Sequence, residues 1–405
     1  MKILLINRIH FIGGGADRVY LNTGKLLEDN SYEVAYFSSK NNHNKTSKYS
    51  KFFIDYDPPD KKLFSKKLLS VMKYLYNIQA SRNLSKLITE FKPDIAHLHL
   101  FYGVHSASIL TTLKKHKIPI IVTLHDYRLL CPAYLFLDRD GNICEQCHKN
   151  KFYNCTLKRC SRGNLLNSLI ITLEAYMRKF VIDPLEFVDH FIFVSRFSMN
   201  KHIAFDSRYL TKSDMLYNFT DFSISEPLIK GEYFLYYGRL SREKGIITLI
   251  DAAIKTNIQL KIIGDGPLKE DILLKIKNAP NIEYLGFKTG QELSELITNC
   301  SFVIVPSEWY ENNPMTIVEA YSLGKPVIGS KIGGIPELIN DDTGLLFESG
   351  NIKDLSDKIT LASEINVNEY YRLSENCWQF SKNEFSQSTH FRLLDNIYTS
   401  FINPQ

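Results

Sequence analysis

The chain has 405 residues, 44% of them hydrophobic and 23% charged, a composition that excludes a low-complexity chain and suits a globular protein of two domains. No apolar run approaches the roughly 20 residues of a membrane span, and MKILLIN reads as a first buried strand, not as a signal peptide, so a cytoplasmic protein is expected. The net charge of +5 is uneven: residues 1–217 hold 32 Lys and Arg against 19 Asp and Glu, and residues 218–405 hold 17 against 25. A basic first half suits anionic lipid, a phosphorylated acceptor or nucleic acid. Nucleic acid is not expected, because no zinc-finger, homeodomain-like or RNP-type motif accompanies the charge.

In chain order, the apolar runs KILLIN (2–7), EVAYFS (33–38), DIAHLH (94–99), PIIVTL (119–124) and DHFIFVS (189–195) read as strands separated by helix-length amphipathic segments. Such alternation gives a parallel, doubly wound sheet whose ligands meet the carboxyl ends of the strands. After the first run comes FIGGGADR (11–18). Its glycines would let a phosphate or sugar approach the backbone closely, although the pattern is not G-x-G-x-x-G and equally fits a bare strand-to-helix turn. Residues 61–90 hold seven basic residues and one acid, with Leu, Val, Met and Tyr at helical spacing and Lys61, Lys62, Lys66 and Lys67 at the start. They form either a helix covering the sheet or a basic face for a membrane or a lipid diphosphate. The apolar stretch from Gly163 to Ile182 belongs to the same surface or to the core.

His125, with Asp126 and Tyr127, stands at the end of PIIVTL, where an imidazole can meet a ligand. Directly after it come Cys131, Cys144, Cys147, Cys155 and Cys160. An odd total of seven cysteines in a cytoplasmic chain favours thiols or metal ligands over disulfides. The spacing of Cys144, Cys147, Cys155 and Cys160 allows a structural zinc, with reduced loop thiols as the alternative.

The polar segment 216–232 reads as a linker. Beyond it YFLYYG (233–238), QLKIIG (259–264), IEYL (282–285), FVIVP (302–306) and PVIG (326–329) repeat the strand pattern. Arg239 and Lys244 in GRLSREKG follow a strand end, where two cations could neutralise a diphosphate. IIGDGP (262–267) ends in a tight turn, with or without a ligand. In SEWYENNPMTIVEA (307–320), Pro314 suits the first helical position and Asn313 the N-cap. The amides near Met315 and Thr316 would then favour an anion. Glu311 in the loop and Glu319, about two helical turns on, could reach opposite ends of one ligand.

GRLSREKG, IIGDGP, ENNPMTIVEA and GKPVIGSKIGGIPELI, in this order, resemble the nucleotide-binding half of retaining glycosyltransferases of the GT-B fold, in particular the large bacterial group that builds polysaccharides and lipid-linked sugars. The resemblance is strong over residues 233–350 and thinner in the first half, where it rests on the GGG turn and TLHDY (123–127). It implies two Rossmann-like α/β domains facing across a cleft: residues 1–215 on the acceptor side with a Cys-rich insert at 131–160, then the 216–232 linker. Residues 233–384 would bind the nucleotide sugar, and a final helix in 385–405 would return to the first domain.

The same resemblance implies that Arg239 and Lys244 bind the donor diphosphate, Glu311 the transferred sugar and Glu319 the ribose. Met315 and Thr316 amides would meet the phosphates, Gly14 and Gly15 would face the diphosphate, and His125 the sugar. It implies a nucleoside-diphosphate sugar as donor, a glycan or polyprenyl-diphosphate-linked acceptor, peripheral contact with anionic membrane, and no metal needed for catalysis. A sugar-nucleotide epimerase on the same fold and a non-catalytic nucleotide-sugar-binding subunit are the alternatives.

Overall fold

The structure, a computed structural model, describes residues 1–55, 64–224 and 230–402, with the side chains of 64–69 left aside. The chain folds as two compact units. One holds Met1–Val194, Ser198–Leu216 and the chain from Phe391; the other holds Ser195–Phe197 and Tyr217–His390.

The first unit carries a parallel sheet of β1 (Lys2–Ile6), β2 (Glu33–Phe37), β3 (Ile95–Leu98), β4 (Ile120–Leu124), β5 (His190–Phe193) and β6 (Ser213–Met215), in the order β2-β1-β3-β4-β5-β6. Central strands read as unbroken apolar runs because helices cover both faces; every residue of β3 and β4 is buried. Ile3, Leu5, Ile95, Ile121 and Ile192 form one core cluster with Leu394 and Tyr398 of the final helix, Gln387–Ile402.

The second unit repeats the plan with β7 (Tyr233–Tyr237), β8 (Leu260–Ile263), β9 (Ile282–Tyr284), β10 (Cys300–Val305), β11 (Val327–Ser330) and β12 (Gly344–Phe347), in the order β12-β11-β10-β7-β8-β9. Both sheets are Rossmann-like, and each reverses its winding at one place. In the first sheet the reversal falls between β1 and β3; in the second, between β7 and β10.

Three expectations need correction. Residues 61–90 are not one helix: Phe64–Leu75 and Ile78–Phe91 are separate, because Asn77 leaves the helical conformation and its side chain caps the second through the Ala80 N–H at 3.1 Å. The second of these helices buries Ala80, Leu84, Leu87, Ile88 and Phe91, so it is a cover for the sheet. Lys61 and Lys62, and the side chains of Lys66 and Lys67, lie outside the described residues.

The linker is also shorter than 216–232. Tyr217 to Thr220 are buried in the second unit, where the Asn218 N–H donates to Asn313 Oδ1 at 2.8 Å; residues 225–229 lie outside the described residues. Finally, the Cys-rich segment contains no disulfide. Among the described residues no group of three or more His, Cys, Asp or Glu side chains is placed to hold a metal ion. The thiols nonetheless lie near one another: Cys160 neighbours Cys155, Cys147 neighbours Cys144 and Cys160, and Cys131, outside the expected zinc set, neighbours Cys144, Cys147 and Cys160. The expected zinc set of Cys144, Cys147, Cys155 and Cys160 is thus close together but not arranged as a metal-holding group among the described residues.

Candidate active site

At the reversal point of the second sheet, β7 and β10 are neighbours although more than 60 residues separate them in the chain. Their carboxyl ends bring the loop that starts at Gly238 beside the loop that starts at Pro306. The two loops fit closely only because glycines stand at the contacts. Gly245 has φ +65°, and a Cβ there would lie 1.8 Å from Pro306 O. Gly264, in the IIGDGP turn, has φ +143° and would place a Cβ 1.9 Å from Gly238 O. The latter turn is thus packed against the Arg239 loop, which accounts for its glycine without a ligand.

This packing sets Lys244 against Glu311. Lys244 Nζ lies 2.6 Å from Glu311 Oε1, the same oxygen accepts the Ser307 hydroxyl at 2.7 Å, and Lys244 Nζ stands 5.0 Å from the centre of the Trp309 ring. The side chains are 26% and 7% exposed. A charge pair at that depth is less screened than a surface pair, and Ser307 fixes which carboxylate oxygen Lys244 holds. Arg239, on the same loop as Lys244, is exposed at the end of β7. The site therefore presents one anchored and one exposed cation.

The Glu311 loop is backed by the second half of GKPVIGSKIGGIPELI. The Gly334 N–H donates to Glu311 O at 2.7 Å, and a Cβ on Gly333, whose φ is +60°, would fall 2.4 Å from that oxygen. The motif's paired glycines thus let one backbone lie on another.

The helix after the loop begins one residue later than its sequence suggests. It runs Met315–Ser322 with Pro314 as N-cap at ψ 122°, and Asn313 caps nothing, because its side-chain oxygen accepts from the Asn218 backbone. Only the stretch from Met315 to Glu319 separates Glu319 from the helix start, just over one turn and not two. Glu319 is 2% exposed, so it is not a surface acid. Ile317 N–H gives the first helical bond, to Pro314 O, leaving the Met315 and Thr316 amides at the open end. Tyr237 Oη holds that end in place by donating to Thr316 O at 2.8 Å.

In the first unit, Gly14 is the N-cap of the helix Gly15–Asp29. Its backbone is fully extended, and a Cβ would meet no atom closer than Asp17 Oδ2 at 3.9 Å. Neither conformation nor packing requires glycine there, and both Gly14 and Gly15 are exposed. His125 follows β4, with its Nε2 2.9 Å from His99 Nδ1 and the two rings stacked at 5.1 Å. Burial pushes His125 down to about 3, so it is a neutral hydrogen-bonding group.

Comparison with known proteins places this layout. A family model described as glycosyltransferase family 4 matches residues 13–223, more than half of the chain, and one described as glycosyl transferases group 1 matches residues 220–379. The chain belongs to this glycosyltransferase family. The glycosyltransferase is 34% identical over 204 residues to an uncharacterized glycosyltransferase of Methanocaldococcus jannaschii, a match that covers 48% of this chain and spans only 55% of that relative. It is 24% identical over 385 residues to an uncharacterized 42.6 kDa protein in the cps region of Klebsiella pneumoniae, covering 91% and 95% of the two chains. Its fold resembles HepE of Anabaena, solved in complex with UDP, with a TM-score of 0.66, 17% identity and coverage of 99% and 100%.

In the glycosyltransferase, then, the second unit gathers Arg239, Lys244, Glu311, Met315, Thr316 and Glu319 around one sheet reversal, while Gly14, Gly15 and His125 belong to the first unit. Sequence reasoning passed over Ser307, Trp309, Asn218 and His99. Ser307 and Trp309 lie in the same quoted stretch as Glu311 and were legible by proximity. Nothing local to Asn218 or His99 signals a partner 95 or 26 residues away.

Proposed function

We propose that this glycosyltransferase moves a sugar from a nucleoside-diphosphate sugar to a glycan or polyprenyl-diphosphate-linked acceptor, with retention of anomeric configuration. The observation that carries the reading is the Lys244–Glu311 pair, fixed by Ser307 at the reversal of the second sheet, where Rossmann-like domains bind nucleotides.

Arg239 and Lys244 neutralise the diphosphate, and the Met315 and Thr316 amides add donors at a helix start. As the bond between the sugar's anomeric carbon and the diphosphate oxygen breaks, the acceptor oxygen bonds to that carbon on the same face. Its proton passes to the departing diphosphate oxygen, so charge and atoms balance. Glu311 orients the sugar and stabilises the positive charge that develops on the ring; with Lys244 and Ser307 on its oxygen it is poorly placed as a proton-abstracting base, which tells against an epimerase. Glu319 takes the ribose hydroxyls; in the first unit, Gly14 and Gly15 offer exposed backbone and His125 a neutral hydrogen-bonding ring to a ligand.

A peripheral contact with anionic membrane belongs to the same reading. No helix among the described residues is long and apolar enough to span a membrane. The helix Leu165–Phe180, however, exposes Leu165, Leu166, Leu169, Leu173 and Phe180 at 42–70%. From Lys149 to Val181 the sequence has seven basic residues and one acid, Glu174, which is buried 3.1 Å from Arg178. An apolar stripe in a basic surround suits the surface of an anionic bilayer.

The test of the transfer is incubation with nucleoside-diphosphate sugars and a lipid-diphosphate glycan, with nuclear magnetic resonance of the product's anomeric proton. An axial product from an axial donor supports retention; an inverted product overturns it.

A further inference from the structure

The reversal point of the first sheet holds a pocket of its own. Arg8 follows β1, His99 follows β3, and His125, Asp126 and Arg128 follow β4; with Tyr102 they line one cavity. A cavity at the carboxyl edge of a parallel sheet, where the winding reverses, is where such sheets bind ligands.

Its charges are arranged for an anion. Arg8 Nη2 is 3.5 Å from Asp17 Oδ2, yet the Arg8 side chain remains 46% exposed. The near partners of the Arg128 guanidinium among the described residues are neutral: Nη1 donates to Tyr74 Oη at 3.1 Å, and the group stands 4.8 Å from the centre of the Tyr134 ring. Asp126 and Glu174 attract it only at longer range. Asp126, the acid on the pocket wall, turns an oxygen to the backbone N–H of Arg128 at 3.0 Å. A planar guanidinium held by aromatic rings keeps its fork of donors for an oxyanion.

We propose that this pocket binds an oxyanion of the acceptor, with Arg128 and Arg8 as the charged contacts. The inference rests on the glycosyltransferase reading and narrows its acceptor to one that carries a phosphate ester or a carboxylate. A lipid-carrier diphosphate and a uronic-acid residue of a glycan are the two sources of that chemistry.

The experiment measures thermal stabilisation by inorganic pyrophosphate and, separately, by glucuronate, in the full chain carrying Arg239→Ala and Lys244→Ala so that the donor clamp does not contribute. The inference predicts that one of the two anions still stabilises this protein, and that adding Arg128→Gln weakens its binding at least ~10-fold. Which anion does so names the source. Should Arg128→Gln fail to fold, Arg8→Gln, a surface change, is expected to weaken the same anion at least ~3-fold.

Pyrophosphate or glucuronate protection that disappears with the donor-clamp substitutions alone, or that is indifferent to both arginines, overturns the pocket assignment. Nucleotide binding to the chain with Arg239 and Lys244 intact, measured alongside, separates that outcome from failure of the donor site.

Discussion

Lys244 Nζ lies 2.6 Å from Glu311 Oε1, so the cation assigned to the diphosphate and the carboxylate assigned to the sugar form one electrostatic unit. Lys244→Ala and Glu311→Ala are each expected to lower kcat/KM at least ~100-fold. Because each removes the other's partner, the double substitution should cost at least ~10-fold less than the product of the two single losses. Steady-state kinetics of all four proteins checks this; independent, multiplying losses would mean that the two residues act separately.

Two glycines make opposite predictions. Gly245→Ala forces a side chain into a φ of +65° and against Pro306 O, and should destabilise the second unit by about 2 kcal/mol or more. Gly14→Ala has room and an unstrained backbone, so its stability should stay within about 0.5 kcal/mol of wild type. Its turnover should nonetheless fall, because the added methyl occupies the space assigned to the diphosphate. Urea unfolding and activity assays of both proteins decide the matter; a fully active Gly14→Ala removes the ligand role of that turn.

Stability should drop on the acid side. Burial pushes His10, His202 and His390 down to about 4 and His105 and His125 to about 3. These imidazoles stay neutral in the fold, whereas in the unfolded chain they take up protons below about pH 6.5. The unfolded state therefore gains protons first, and stability falls as pH drops from 6.5 toward 4. Burial raises the Asp17 and Glu337 carboxyls, which acts in the opposite sense, but burial also lowers His190, and the Lys40 and Arg208 partners that lower Asp55 and Asp206 act in the same sense as the imidazoles. The melting temperature should fall by at least about 5 °C between pH 7.5 and pH 5.5, as calorimetry would show.

The exposed stripe on Leu165–Phe180 makes a surface prediction. Leu166→Glu with Leu173→Glu adds two charges at side chains 65% and 49% exposed, so the fold should be unaffected. Cosedimentation with vesicles rich in phosphatidylglycerol should decrease at least ~10-fold. Equal binding by both proteins would leave the stripe to another partner.

Much of the fold was legible because its physics is local. Ten of the twelve strands among the described residues stand out as apolar runs, and the central ones, covered on both faces, have no polar side to show. The two that escaped, Ser213–Met215 and Gly344–Phe347, are three and four residues long, the first polar and the second opened by glycine. Helix limits were less legible where a side chain chose a distant partner, as Asn313 did with Asn218.

At the site, residue types and spacing marked Arg239, Lys244 and Glu311, but not the 2.6 Å pair between the last two. That pair arises from sheet order, which places β10 beside β7, and sequence does not display sheet order. For the cysteines, spacing suggested a tetrad, while the folded segment places Cys131 among them and gathers no metal-binding group among the described residues.

The central claim is that the second unit binds a nucleoside diphosphate through Arg239 and Lys244. Its most direct test is thermal stabilisation of the purified protein by a panel of nucleoside diphosphates and their sugars, with Lys244→Ala measured in parallel. The account predicts a rise in melting temperature with one nucleotide, at least halved in Lys244→Ala. An equal rise in both proteins, or none with any nucleotide, would contradict it.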